Sequence, residues 1–300
     1  MTVADATAVW RFDAIGTQWE VVTAHELPGA VRDATMLVVE GFDCAWSRFR
    51  EDSIVSDLAR RPRQVPAPSD AEAMLDAFAA LSEATAGAVN PLIGDALEHR
   101  GYDATYSFRD SGAVPAPSAW QDLLTWRDGV LELRQRATID VGALGKGRLV
   151  DLVLGVVGAA AAGGDVVVDA GGDLAVRGAP QRIGLEHPFA PRRAIGVWEV
   201  TDAALCASAT NRRAWPGATG AGLHHVLDAR TGEPVRTIAA TWAVATDAMT
   251  ADAIATALFF EGGPRLAHDW GVDWVRMTTD GRVEWSPGCR ADLFVQRDSV

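Results

Sequence analysis

Apolar positions along the chain switch between a period of two and a helical period near 3.6, and the switches divide it into elements. Residues 8 to 23 read as two short strands around Asp13-Ala14-Ile15-Gly16-Thr17, with Trp19, Val21 and Thr23 alternating with Glu20 and Val22. A helix is predicted over 28–46: Pro28 suits its first turn, and Val31, Ala34, Thr35, Val38 and Phe42 share a face. Asp52-Ser53 reads as the cap of a short helical turn. A Pro-rich loop over 61–69 leads to a second helix over 70–85, with Ser69 or Asp70 as cap and Met74, Leu75, Phe78 and Leu81 as core face. Residues 87–94 are turn-rich, 102–118 are loop-like, and 122–140 read as paired strands around Asp128-Gly129.

The chain then enters Ile139-Asp140-Val141-Gly142-Ala143-Leu144-Gly145-Lys146-Gly147-Arg148-Leu149-Val150-Asp151. Leu149, Leu152, Val153, Val156 and Val157 follow at helical spacing, so a helix over 147–160 opens on the glycines. Such a turn gathers backbone N–H groups and the positive helix end at one place, which suits a phosphate, and Lys146 adds a point charge. The spacing is not that of a Gly-x-x-x-x-Gly-Lys-Ser/Thr loop. A tight strand-to-helix turn with a surface lysine is the plainer alternative.

Beyond it, an apolar strand over 165–176 runs into Gly171-Gly172 flanked by Asp169 and Asp173, the mark of a close backbone approach or, more plainly, of a bulge in a hairpin. Residues 182–201 read as strands, and 205–213 as a Ser/Thr/Asn-rich stretch that binds polar atoms or turns. In His224-His225-Val226-Leu227-Asp228, alternation sends the two histidines to opposite sides, so a regular strand cannot offer both to one metal. Asp228 is available as the side-chain acceptor of the turn to Gly232. A strand over 239–246 precedes a helix over 250–261 that stops at Gly262-Gly263. On this apolar helix Asp252 and Thr256 lie one turn apart. A carboxylate and a hydroxyl so placed are hard-oxygen ligands suited to Mg2+; helix-end electrostatics for Asp252 and a back-bond for Thr256 are the alternative. Residues 264–300 read as a short helix and a hairpin at Asp280-Gly281.

Composition narrows the class. The chain of 300 residues is 48% apolar, enough for a sizeable core in one domain or two intimate ones. A net charge of -13 with no basic stripe argues against a nucleic-acid binder. Cys44, Cys206 and Cys289 are too dispersed for a zinc site or a disulfide framework. The first residues lack the basic and apolar regions of a secretory leader, and the most apolar run, 152–162, is too short and glycine-broken to span a bilayer. A cytoplasmic location with no membrane insertion is the expectation.

Together these stretches resemble the ApbE-type FAD:protein FMN transferase family, in family order along nearly the whole chain. Ala14-Ile15-Gly16-Thr17 is similar to its Met-Gly-Thr element, with Ile15 in place of Met. Ser47-Arg48-Phe49 through Asp52-Ser53 is similar to its Ser-aromatic segment, and Asp140 through Lys146-Gly147 and Asp151 to its Asp-Leu-Gly…Lys-Gly…Asp signature. Gly171-Gly172-Asp173 resembles its Gly-Gly-Asp turn, His225 through Asp228, Thr231-Gly232 and Pro234 its histidine segment, and Asp252 with Thr256 its metal helix. Each motif is weak singly; six in order are specific. Departures are Asn90-Pro91 for Asp-Pro, Ala229 for Pro, and Ala207-Ser208-Ala209-Thr210-Asn211, which lacks the usual Gly and Tyr.

The resemblance implies an Mg2+-dependent transferase that cleaves the FAD diphosphate, passes FMN to a threonine hydroxyl of an acceptor flavoprotein and releases AMP. An FAD pyrophosphatase and a non-catalytic flavin-binding protein are the alternatives. It implies metal ligands Asp252, Thr256 and a backbone carbonyl placed at Gly145. Flavin-nucleotide contacts fall to Gly142, Ala143, Lys146, Gly171, Gly172, Asp173, Ser208 and His225. His225 is the candidate base, with Asp173 and Asp228 as rivals, and Lys146 steadies phosphate or pairs with an acid. Relatives are often exported lipoproteins; with no lipobox here, a cytoplasmic form is expected. The expected fold is α+β: mixed, mainly antiparallel sheets with flanking helices, in a single domain over 1–300 with room for two intimate subdomains.

Overall fold

The computed structural model describes residues 7–217 and 222–294. The expectations about the N-terminal leader and the domain's outer limits fall partly on residues outside these ranges. Eight strands form the central sheet: β1 (Ala8–Ala14), β2 (Thr17–Thr23), β3 (Val166–Asp169), β4 (Asp173–Arg177), β5 (Ala203–Ala209), β6 (Ile238–Ala245), β7 (Asp273–Thr278) and β8 (Val283–Trp285). Each pairs antiparallel with the strand before it, so order in the sheet follows order in the chain. Helices and small sheets are inserted between neighbours without disturbing that order. The architecture is the expected α+β one.

Strand alternation gives the sheet two buried faces. Ala175, Ala204 and Cys206 face a core built with helices α1 (Gly29–Trp46), α3 (Ala71–Ala84), α6 (Gly145–Ala160), α7 (Ala248–Ala257) and α8 (Gly263–Asp269). Leu174, Val176 and Leu205 face the other way, onto Leu185, Ile195 and Trp198 of a three-stranded sheet made by Gln181–Glu186, Ala194–Val200 and Asp292–Leu293. Full burial of each large apolar side chain contributes roughly 1.5–3 kcal/mol, so the two layers together hold the sheet rigid between them.

Most predicted elements form, and the differences have physical causes. In α1 the buried face is Thr35, Val39, Phe42, Ala45 and Trp46, with Val31 and Val38 at its margin. Ser53 caps α2 (Ile54–Arg60) by accepting from the Ser56 N–H at 3.1 Å. Asp70 precedes α3 but does not cap it; its carboxylate accepts from Arg148 of α6 at 2.8 Å. The Pro-rich loop contains a strand, Gln64–Pro66, which finds backbone partners in the predicted hairpin of Leu124–Arg127 and Val130–Leu133. Short helices α4 (Gly94–His99) and α5 (Trp120–Leu123) were not predicted, being too short to show a period. The Ser/Thr/Asn-rich stretch is largely strand β5, central in the sheet. Its small side chains let it lie close under α7, where Cys206 Sγ is 3.3 Å from the Ala248 carbonyl oxygen.

Among the described residues no helix is long and apolar enough to cross a membrane.

Candidate active site

The organising glycine turn is placed by α6 and α7, which exchange aspartates. Asp151 of α6 accepts from the Ala248 and Met249 N–H groups at 2.7 and 2.9 Å. Asp252 of α7 accepts from the Gly147 N–H at 3.0 Å. Each helix thus satisfies donors that the other leaves open in its first turn. Asp247 completes the start of α7 by accepting from Thr250 N–H at 2.8 Å. The two helices meet so closely that a Cβ at Gly147 would lie 2.1 Å from the Ala248 carbonyl oxygen, and this requires glycine there.

Asp252 is fully buried, and its second oxygen, Oδ1, makes no hydrogen bond. Among the described residues its ion-pair partner is the Lys146 ammonium, 3.5 Å away. Lys146 also bonds Asp173 Oδ2, at the start of β4, while Asp173 Oδ1 is buried without a partner. Burial, reinforced by the Asp173 charge, pushes the Asp252 carboxyl well above the usual carboxylate range. Burial pulls the Lys146 ammonium down, but Asp173 and Asp252 outweigh it and hold its pKa above the ordinary value. Lys146 is therefore paired with acids rather than extended to solvent.

Thr256 lies on the same face of α7 as Asp252, and its hydroxyl donates to the Ala143 carbonyl at 3.0 Å. The carbonyl beside the predicted ligand pair is thus that of Ala143, not of Gly145; Gly145 is the first residue of α6 and its N–H bonds the Val141 oxygen at 2.8 Å. Gly142 donates to Asp140 Oδ1 at 2.7 Å, and the other Asp140 oxygen accepts from Arg48 Nε at 2.6 Å.

Gly171 and Gly172 form the β3–β4 turn. Both donate to Asp169 Oδ1, at 2.8 and 3.1 Å, and both have positive φ. A Cβ at Gly171 would fall 2.4 Å from Thr17 Oγ1, so this turn packs directly on the β1–β2 turn at Gly16-Thr17. Ser208 lies two residues beyond Cys206 on the same face of β5.

The two histidines diverge, as alternation predicts. His224 is buried and uses both ring nitrogens, with Val235 O at 2.9 Å and Val226 N–H at 3.3 Å. His225 has a buried Nδ1 with no partner. Burial first, then the Arg213, His224 and Lys146 charges, lower its pKa to about 3, so it is neutral at pH 7. Asp228 is occupied elsewhere: it pairs with Arg230 and accepts the Arg230 N–H at 3.0 Å within its own turn.

The structure therefore brings Ala143, Lys146, Asp173, Asp252 and Thr256 into one connected group, with Gly172 adjoining Asp173. It sets Asp228 apart in its turn. Residues without an assigned role in the sequence reading are Asp151, Asp169, Arg48 and Arg213. Asp151, Asp169 and Arg48 stand in or beside stretches that the sequence singles out, whereas Arg213 carries no local signal of its own.

Comparison with known proteins places the chain as a whole. The model of the ApbE family matches residues 15–273. A FAD:protein FMN transferase of Rhodobacter capsulatus is 28% identical over 305 aligned positions, which cover 94% of this chain and 57% of that relative. The chain thus spans just over half the length of the curated relative it matches. The ApbE protein of Thermotoga maritima superposes with a TM-score of 0.80 at 23% identity, covering 94% of this chain and 97% of that one. The apo flavinyl transferase ApbE of Pseudomonas stutzeri gives 0.78 at 22%, covering 94% and 95%, so the fold is shared with both. With a family match over residues 15–273, most of its length, the chain belongs to the ApbE family.

Proposed function

We infer that the chain is a FAD:protein FMN transferase: it cleaves the diphosphate of FAD with Mg2+, transfers FMN to a threonine hydroxyl of an acceptor flavoprotein and releases AMP. One observation carries the reading. Asp173 Oδ1 and Asp252 Oδ1 are buried acid oxygens without hydrogen-bond partners on two carboxylates that share Lys146, and one helical turn after Asp252 the Thr256 hydroxyl donates to the Ala143 carbonyl. Buried acceptors are almost always satisfied, so two orphans at one place call for a ligand. Among the described residues no group of three or more His, Cys, Asp or Glu gathers. The donor set is instead two carboxylates, a hydroxyl and a carbonyl, all hard oxygens. That set fits Mg2+, which takes few protein ligands and completes its shell with water and substrate phosphate.

Asp252, Thr256, Asp173 and the Ala143 carbonyl would hold the metal. Bound there, Mg2+ supplies charge neutralisation on the diphosphate. The chain's own residues do the rest. In the Gly171-Gly172 turn, Gly171 is packed on Thr17, whereas a Cβ at Gly172 would meet nothing nearer than 3.9 Å, so substrate can approach the backbone on the Gly172 side. The exchanged aspartates fix α6 against α7 and hence the spacing of Ala143 from Thr256. His225, neutral and with an unused Nδ1, accepts the proton of the attacking threonine. The arriving phosphate charge offsets Arg213 and Lys146 and raises the basicity of this imidazole. The name of the Rhodobacter capsulatus relative supports the same reading.

The test is incubation with FAD, Mg2+ and a peptide bearing an acceptor threonine. Covalent FMN on the peptide with an equal amount of AMP is the expected result. AMP with free FMN only identifies a pyrophosphatase, and bound FAD without AMP identifies a flavin-binding protein.

A further inference from the structure

Lys146 is the single lysine among 27 lysine and arginine residues. Everywhere else the chain meets a need for positive charge with arginine. The ammonium differs from guanidinium in being a compact point charge that can sit between two carboxylates without a planar fork. Lys146 does so: its side chain is 27% exposed, while those of Asp173 and Asp252 are 2% and 1% exposed.

The contact is lopsided. The ammonium is bonded to Asp173, but it stands 3.5 Å from Asp252 Oδ1 and makes no hydrogen bond with it. Two buried carboxylates and one ammonium leave a negative charge that the Gly147 N–H, at the positive end of α6, offsets only in part.

The geometry points to Lys146 as a place-holding cation: it neutralises the Asp173–Asp252 pair before metal binds, and withdraws from Asp252 when a divalent cation takes the orphan oxygens. This rests on the Mg2+ reading given above. A divalent ion and an ammonium in contact with one buried oxygen repel strongly, so both cannot hold Asp252 Oδ1 together. Without the lysine the metal-free pair would be an uncompensated buried charge, which is costly to a fold. With it, the pair stays compatible with the folded state, and metal affinity is lowered by the fraction of time the ammonium is in place.

A single lysine makes the test direct. Protein grown with lysine labelled with 13C at Cε carries one such signal, from Lys146. Titration with MgCl2 in the absence of FAD should shift that signal saturably, in step with a rise in melting temperature. Lys146→Met should melt lower than wild type in EDTA, recover with Mg2+, and bind Mg2+ about tenfold more tightly because no ammonium has to leave first. A signal that stays in place while the melting temperature shows saturation overturns the proposal. So does a wild-type protein that binds no Mg2+, or a Lys146→Met protein with unaltered metal-free stability and Mg2+ affinity. If the variant does not fold, the wild-type titration still decides. None of these arms reads flavin transfer, so failure of the transferase reading, seen as no AMP from wild type, is a separate outcome.

Discussion

Asp151 and Asp252 lie on two facing helices and do the same thing for each other, yet they end in opposite states. Asp151 has both oxygens on backbone N–H groups of α7, at 2.7 and 2.9 Å. Asp252 has one oxygen on the Gly147 N–H at 3.0 Å and the other on no donor. Burial raises both carboxyls above the usual carboxylate range. Only for Asp151 do hydrogen bonds use every oxygen. The two neighbouring histidines repeat the contrast, His224 with both nitrogens engaged and His225 with Nδ1 idle. Burial alone therefore does not separate a structural polar group from a chemical one. Completeness of hydrogen bonding does, because a fold has no reason to keep a buried acceptor idle unless something else uses it.

This contrast can be broken from either side. The largest expected effect is on the idle members. Asp252→Asn keeps an oxygen for Gly147 but loses the charge, and should lower FMN transfer by about 10²–10³-fold with little change in the urea midpoint. His225→Gln should lower transfer by about 10²-fold, again with the fold intact. Either variant retaining wild-type transfer would end the distinction drawn here.

Asp151→Ala should behave in the opposite way. Two N–H groups of α7 lose their acceptor, at a cost of about 3 kcal/mol in denaturant unfolding, while transfer per folded molecule falls far less than in Asp252→Asn. Gly147→Ala attacks both exchanges together. Its Cβ would be forced against the Ala248 carbonyl, pushing α6 off α7, at about 2 kcal/mol of stability and with weakened Mg2+ binding.

The smallest effect sharpens the histidine half of the contrast. Burial lowers His224 from 6.5 to about 4. The unfolded chain takes up this proton first on acidification, so the His224 contribution to stability is intact above about pH 6.5 and is lost as pH falls toward 4. His224→Gln should flatten the stability–pH slope in that window by up to about 1 kcal/mol per pH unit, read from urea midpoints. An unchanged slope would mean that His224 is not the packed neutral group described.

How much of this was legible in the sequence varies with the range of the interaction involved. Asp252 and Thr256 were readable as a pair because helical spacing alone puts residues four apart on one face. Gly171-Gly172 was readable as a special turn because few other residues adopt positive φ easily. In the stretch 205–213 the turn reading holds for 210–213 and fails for 205–209, because the small side chains of β5 answer to the closeness of α7, which no local pattern displays. The carbonyl was placed at Gly145 rather than Ala143 because a two-residue shift in a glycine turn depends on where the helix begins, and α6 begins at Gly145.

The sequence by itself determined the α+β class, the long helices, the order of the motifs and the residue types at the site. These follow from periodicity, capping and backbone preference, all of which act over a few residues. Only the tertiary structure decided what each charged group faces. Lys146 lies 27 residues from Asp173 and Asp151 lies 97 from Ala248, and their pairing is set by how α6, α7 and β4 pack. Whether a buried acid is satisfied or idle is a property of that packing, because it depends on which donors remain when the helices have come together.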